Sequence, residues 1–239
     1  MRYLYFVLIL TTTISFSQLS KGNKLIGGGL RINTSDNQSD QTRPDGSTSI
    51  NESNSFSWSF NPYYGIFLKD SLAVGGGITV GTDSRSTESL FDTQFNRTDF
   101  SSYTLGANAF VRKYFKVRPK IGFFISGSAG YSYRSSENTN DRGSMSTTEF
   151  RQNINDDSWT VFGGVGLNLY YFVFKNFTLE TNIANLSYSH SSIDSIIVDS
   201  NLIARFDETT EFTNTGTGLN LSFVNSFNFD RFFTVNYYF

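Results

Sequence analysis

The chain has 239 residues, with 19 Lys and Arg against 21 Asp and Glu, a formal net charge of −2, no cysteine and one histidine. That balance excludes a strongly basic nucleic-acid binder, and the lack of cysteine excludes disulfides and thiolate metal sites. Charged residues and aromatics make up 17% each, at a mean hydropathy of −0.27, which suits a β protein with alternating faces rather than a bundle of apolar helices.

The N-terminus reads as a targeting segment. Arg2 supplies a positive charge, Tyr3 to Ile14 form an apolar core too short to span a bilayer, and Ser15-Phe16-Ser17 places small residues at alternate positions. Residues 1–17 are therefore expected to be a signal peptide, and 18–239 one exported domain. No later stretch is long and apolar enough for a membrane helix.

From there the pattern has period two. Strand one, about Lys24 to Asn33, sets Ile26, Leu30 and Ile32 on one face and Arg31 and Asn33 on the other. Strand two, Phe56 to Leu68, alternates Phe56, Trp58, Phe60, Tyr64 and Leu68 with Ser57, Ser59, Asn61 and Tyr63; Pro62 inside it implies a bulge or an edge. Strand three runs Leu72 to Gly81 and strand four ends with Tyr103 to Phe115, Arg112 lying on its polar face. Strand five begins at Ile121 and ends near Arg134 on the same kind of face. Strand six spans Trp159 to Val173, and strand seven starts at Phe177 with Glu180 on the polar side.

The last strand covers 227–239, with a start as early as Leu219. Phe239, Tyr237, Val235, Phe233, Phe229 and Phe227 lie on one face, and Asp230 on the other with Asn228, Thr234 and Asn236. Arg231 falls awkwardly on the apolar face, where it would have to snorkel toward lipid phosphates.

Connections alternate in length. Tight turns are expected near residues 70, 118 and 176, and polar loops over 34–55, 82–99, 135–157 and 191–214, the last compatible with a hairpin above the barrel. Short turns on one side and long loops on the other, with an even strand count, describe a bacterial outer-membrane barrel. The set carrying nearly all the strand charges is the smaller and more polar one, so the apolar set faces lipid. The expected fold is all-β: an eight-stranded antiparallel up-and-down transmembrane β-barrel. Aromatics crowd beside the turns (Tyr63, Tyr64 and Phe67; Tyr114, Phe115, Phe123 and Phe124; Tyr170 to Phe172, Phe174 and Phe177) and read as an interfacial belt.

The runs Phe60–Gly77 and Phe110–Phe115, with the ending Tyr237–Phe239, resemble the small outer-membrane β-barrel proteins common in Bacteroidota, similar in architecture to OmpA/OmpX-type barrels. Pro62 stands where that family also places a proline before a Gly-aromatic pair. The resemblance covers the whole mature chain and implies outer-membrane location and insertion by the barrel assembly machinery, which would read the terminal aromatic strand through Phe233, Val235, Tyr237 and Phe239. It implies no particular activity.

The inward strand charges are Arg31, Arg112, Arg134, Glu180 and Asp230. Unpaired charges in a narrow lumen are costly, so ion pairs Arg112–Glu180 and Arg31–Asp230 are expected, as a structural plug or as the constriction of a small channel. His190-Ser191-Ser192 has the His-x-Ser spacing of lipid A deacylase barrels, but the next position is Ile193 and no acid sits on an evident strand at the right offset, Asp207 and Glu208 falling in the loop. Asn155-Asp156-Asp157 lacks a spaced ligand pattern and reads as a solvated turn. No catalytic residue, metal site or cofactor is assigned. The expected role is structural or surface interaction through external loops, as a monomer in contact with outer-membrane lipids and lipopolysaccharide. A small passive pore is the alternative, and an outer-leaflet lipid-modifying enzyme ranks below it.

Overall fold

The computed structural model describes residues 19–42, 48–91, 94–144, 147–201, 206–223 and 234–239. Nine strands occupy nearly all of them: β1 (Lys24–Thr42), β2 (Thr48–Lys69), β3 (Leu72–Phe91), β4 (Gln94–Lys116), β5 (Ile121–Ser144), β6 (Thr147–Phe174), β7 (Phe177–Asn201), β8 (Phe206–Phe223) and β9 (Thr234–Tyr238). Each of β1 to β7 pairs antiparallel with the next. The ring closes because the foot of β7 pairs with β9 and β9 pairs with β1, Ile26 lying opposite Tyr237. Backbone bonds in both directions between Lys24 and Phe239 complete that seam. This is an antiparallel up-and-down barrel with eight strand positions.

Two strands share the eighth position. β8 runs along the upper part of β7, from Asn201↔Phe206 down to Ala184↔Phe223, whereas β9 pairs with Phe177–Glu180. Of the expected strand over 227–239, residues 234–238 form β9, and residues 227–233, with Asp230, Arg231 and Phe233, lie outside the described residues, as do residues 1–18.

Three of the four expected loops, over 34–55, 82–99 and 135–157, are corrected, whereas the hairpin allowed over 191–214 is present as the paired upper parts of β7 and β8. Residues 34–42, 48–55, 82–91, 94–99, 135–144, 147–157, 191–201 and 206–214 are strand, so β1 to β7 run 19 to 28 residues. A tilted strand crosses a bilayer in about 9–11 residues. The outward positions of β6 stay apolar from Phe174 up to Val161, so about half of this 28-residue strand stands beyond the apolar band. The reason lies in pairing. Ser, Thr and Asn have modest strand preference alone, but two polar segments joined by a short connection satisfy each other's backbone groups along the ladder. Side-chain rungs add to this, such as Thr98 Oγ1 donating to Asn140 and Thr139 Oγ1 to Asn153.

Pro62 causes neither a bulge nor an edge. The β2–β3 ladder lapses at Asn61 and Pro62 and resumes at Tyr63↔Gly77 in the register it had at Phe60↔Val80, while Pro62 still stands opposite Gly28 of β1. A missing N–H removes a bond without moving the strand, since the long pairing on both sides holds the register. A register shift occurs instead where Asn168 faces Asn182 and Leu167 faces Ala184, leaving Ile183 as the extra residue.

The pleat divides the side chains cleanly. Outward positions carry Ile26, Leu30, Phe60, Tyr64, Ile78, Leu105, Val111, Ile125, Val161, Val165, Leu186, Leu219 and Leu221, all exposed. A continuous apolar band on the outside of a closed barrel matches a lipid environment and opposes an aqueous one. Above it, outward positions turn polar, as with Arg97, whose Nε donates to Asp99 Oδ2 at 2.8 Å.

Candidate functional site: a filled base under a polar cup

The inward face has two parts. Toward the tight turns it is aromatic and dense: Leu25, Phe67, Tyr114, Phe124, Tyr170, Phe172 and Tyr238 are each at most 3% exposed. Tyr114 packs at 4.9 Å from Phe124 and 5.6 Å from Tyr170 between ring centres, and Phe172 at 5.6 Å from Tyr238. Leu19, ahead of β1, is buried in the same cluster, held by the bond from Ser71 N to its carbonyl.

This divides the expected aromatic belt in two. Tyr64, Phe115, Tyr171, Phe174, Phe177, Tyr237 and Phe239 point outward, while Tyr63, Phe67, Tyr114, Phe124, Tyr170, Phe172 and Tyr238 fill the lumen. Rings of both pleat phases gather by the turns, so clustering along the chain alone cannot separate a belt from a core. Inward glycines leave the room. A Cβ on Gly75 would stand 2.1 Å from Tyr64 O and 2.5 Å from the Phe110 ring, and one on Gly27 would meet the Tyr63 ring at 2.6 Å.

At the centre of the base, Arg112 Nη1 donates to Glu180 Oε2 at 3.1 Å, with side chains only 13% and 5% exposed. The second carboxylate oxygen accepts from Tyr238 Oη at 3.0 Å, and Tyr114 Oη lies 3.4 Å from Tyr238 Oη. Tyr63 Oη donates to Asn236 Oδ1 and accepts from Arg112 Nη1 at 3.4 Å. The guanidinium lies 4.5 Å from the Phe110 ring centre, 4.6 Å from Tyr63 and 5.1 Å from Phe124. A charge pair taken this far from water survives only with such partners. Tyr63, Tyr114, Tyr238 and Asn236 were not singled out as site residues from the sequence; their signal was there, as polar-tipped residues in the pleat phase of Arg112 and Glu180.

Above the base the inward face becomes a cup of small polar residues. Arg31, at the rim of the filled base, stands opposite Ser59, Ser59 opposite Gly81, Gly81 opposite Thr104, and Thr104 opposite Arg134. These residues, with Asn33, Ser57, Thr79, Asp83 and Ser102, line a cavity of about 330 Å³. Arg134 Nη2 donates to Ser102 Oγ at 3.0 Å, lies 4.0 Å from Asp83 Oδ2, and faces the Phe100 ring at 5.6 Å. The Arg31–Asp230 pairing lies outside the described residues on its Asp230 side. Of the expected assembly residues, Val235, Tyr237 and the neighbouring Tyr238 are in β9, with Tyr237 and Phe239 directed outward.

The remaining motifs do not form a site. His190 is on the outer face with its ring 5.4 Å from Trp159. Glu208 stands opposite Asp199, nine residues further along β7, which at 3.3 Å per residue is about 30 Å away. Asn155-Asp156-Asp157 is part of β6 rather than a turn, and successive residues point to opposite faces. Accordingly Asp156 accepts from Ser195 Oγ and Asp157 accepts from Tyr133 Oη at 2.6 Å. Among the described residues no group of three His, Asp or Glu side chains could hold a metal ion.

A closed up-and-down antiparallel barrel with an apolar exterior band defines the class: a transmembrane β-barrel. No protein-family model and no curated protein matches the chain. Among solved structures it is similar to the outer membrane protein OprG from Pseudomonas aeruginosa, at 13% identity over 92% of this chain and 97% of that one, with a TM-score of 0.42. It is also similar to a major outer membrane protein from Thermus thermophilus, at 11% identity, 91% and 99% coverage and a TM-score of 0.44. The outer membrane protease OmpT from Escherichia coli matches at 10% identity, 96% and 100% coverage and a TM-score of 0.33. Likenesses this distant assign neither family nor activity.

Proposed function

We propose that the chain is an integral outer-membrane barrel that is closed to passive flow and acts through its externally directed part, as a surface-interaction or structural protein. One observation carries this reading: the Arg112–Glu180 pair and the rings around it fill the lumen below the cup. A passive pore needs a continuous hydrated path, and a ring-packed base removes it. The long polar strands above the apolar band supply the interacting surface. In this reading residues 1–17 direct export, the outward band meets outer-membrane lipid and lipopolysaccharide, the terminal aromatics serve recognition by the barrel assembly machinery, and the barrel works as a monomer. An outer-leaflet enzyme finds no support in the position of His190.

The test is a recording in planar bilayers with the folded full-length barrel. No conductance steps are expected for the wild type. Removing the base rings together, as in Tyr63→Ala/Phe110→Ala/Phe124→Ala, is expected to create steps in barrels that still fold. Steps in the wild type would replace this reading with the pore.

A further inference from the structure

The cup above the base has a charge arrangement of its own. By pleat phase its inward cations at mid-height are Arg31, Arg85 and Arg134, against Asp83 and Asp156, the latter taken up by Ser195 Oγ, although the chain as a whole is net −2. Arg31 and Arg134 stand at the two ends of one cross-strand row, with Ser59, Gly81 and Thr104 between them. Four strand spacings of about 4.8 Å set the two arginines roughly 19 Å apart along the curved wall. That curve brings both heads to the same cavity of about 330 Å³. The size is at the low end of the usual range for small-molecule sites.

The row is built to receive rather than to pair. Arg134 is oriented by Ser102 and Phe100, and its contact with Asp83 is loose, at 4.0 Å with both side chains over 40% exposed. Arg31 makes no hydrogen bond or ion pair among the described residues, where Asp230 does not fall. Gly81, in the middle of the row, has no side chain to occupy the space between the arginines. Hydroxyls of Ser57, Ser59, Thr79 and Thr104 line the remainder as neutral donors and acceptors.

We propose that this row binds a phosphate-bearing ligand. A phosphate monoester carries close to two negative charges and several acceptor oxygens, which two guanidinium forks can divide between them. A carboxylate has one charge and two oxygens, and would satisfy one arginine only. The hydroxyls suit the polar body of the ligand, a glycerol- or sugar-like group. This rests on the cup being the working part of a closed barrel.

Phosphate esters come from two sources, a soluble solute or a lipid headgroup, so the test has two arms. The folded full-length barrel in a neutral detergent is titrated by calorimetry with glycerol 3-phosphate and, separately, with glycerate as the carboxylate control. In the second arm the barrel is placed in nanodiscs of phosphatidylcholine with a tenth of phosphatidic acid, and retained lipid is measured by mass spectrometry. Arg31→Gln and Arg134→Gln keep hydrogen-bonding ability and remove charge; Arg97→Gln, on the outer face, is the control. The expected result is binding of glycerol 3-phosphate at least tenfold tighter than glycerate, weakened tenfold or more by either cup variant and unchanged by Arg97→Gln. Retention of phosphatidic acid with the same variant pattern, without soluble binding, upholds the site and assigns it a lipid ligand. No binding in either arm, or binding indifferent to both cup variants, overturns the proposal. Bilayer recordings on the same samples separate the two readings: a silent barrel that binds no phosphate loses only the ligand, whereas a conducting one loses the closed base.

Discussion

Arg112→Met isolates the energetics of the filled base. Methionine keeps much of the arginine's length and its contact with the Phe110, Tyr63 and Phe124 rings, but removes the charge facing Glu180. Glu180 is 5% exposed, so water cannot replace the lost partner, and Tyr238 Oη at 3.0 Å offers a neutral bond only. Stranding one member of a buried ion pair costs about 3–5 kcal/mol. At 1.4 kcal/mol per tenfold, the folded-to-unfolded ratio should fall by roughly 10² to 10³ or more. Replacing both charges with apolar groups of similar volume, in Arg112→Met/Glu180→Leu, is often neutral or stabilising. The double variant should therefore recover most of the loss. Urea titration in lipid vesicles, followed through the fluorescence of Trp58 and Trp159, reads both effects. Single variants that unfold at the wild-type midpoint, or a double variant less stable than either single, would refute the reasoning.

Closure by β9 is open to a direct test, because the chain lacks cysteine. Ile26→Cys/Tyr237→Cys should form a disulfide in the folded barrel, since opposed residues of a hydrogen-bonded pair lie about 5.5 Å apart between Cα atoms, within disulfide range. Failure of this pair under conditions where Ile26→Cys/Tyr64→Cys links β1 to β2 would place β9 elsewhere. Gly75→Ala should destabilise by about 1–3 kcal/mol through overpacking, as its Cβ would stand 2.1 Å from backbone oxygen and cannot be relieved by a rotamer change. The urea midpoint measures that, and an unchanged value would contradict the tight base.

In the upper strands, Tyr133 Oη donates to Asp157 and, with Ser135, holds its carboxyl below the usual carboxylate range. A depressed folded value means that the stabilisation is present above the unfolded value and is lost as pH falls through the folded one. Tyr133→Phe should raise the Asp157 pKa toward about 3.9, and NMR titration of that carboxyl would show no movement if the contact were absent. Asp99 behaves in the same direction: partial burial works against its charged form, but bonds from Ser86 and Arg97 outweigh this and lower its pKa.

Much of this architecture is local and therefore readable along the chain. Alternation of Ile26, Leu30 and Ile32 with Arg31 and Asn33 is a property of the pleat, and it already assigns Arg112, Glu180 and Arg134 to the inner face. Tight turns near 70 and 176 and the pairing of the C-terminal strand with strand one follow from the same pattern. Partners across the barrel do not. Whether residues 34–42 are loop or strand depends on residues 48–55 being present to satisfy their backbone, and polar composition carries no trace of that. The aromatics near the turns looked alike along the chain, because only the closed ring separates Tyr64 against lipid from Tyr63 against Arg112. The extra residue at Ile183 and the division of the eighth position between β8 and β9 are likewise set by registers summed around the ring. Side-chain period is a one-strand property. Which inward groups meet, and what space they leave between them, is decided only when eight strand positions close on one another.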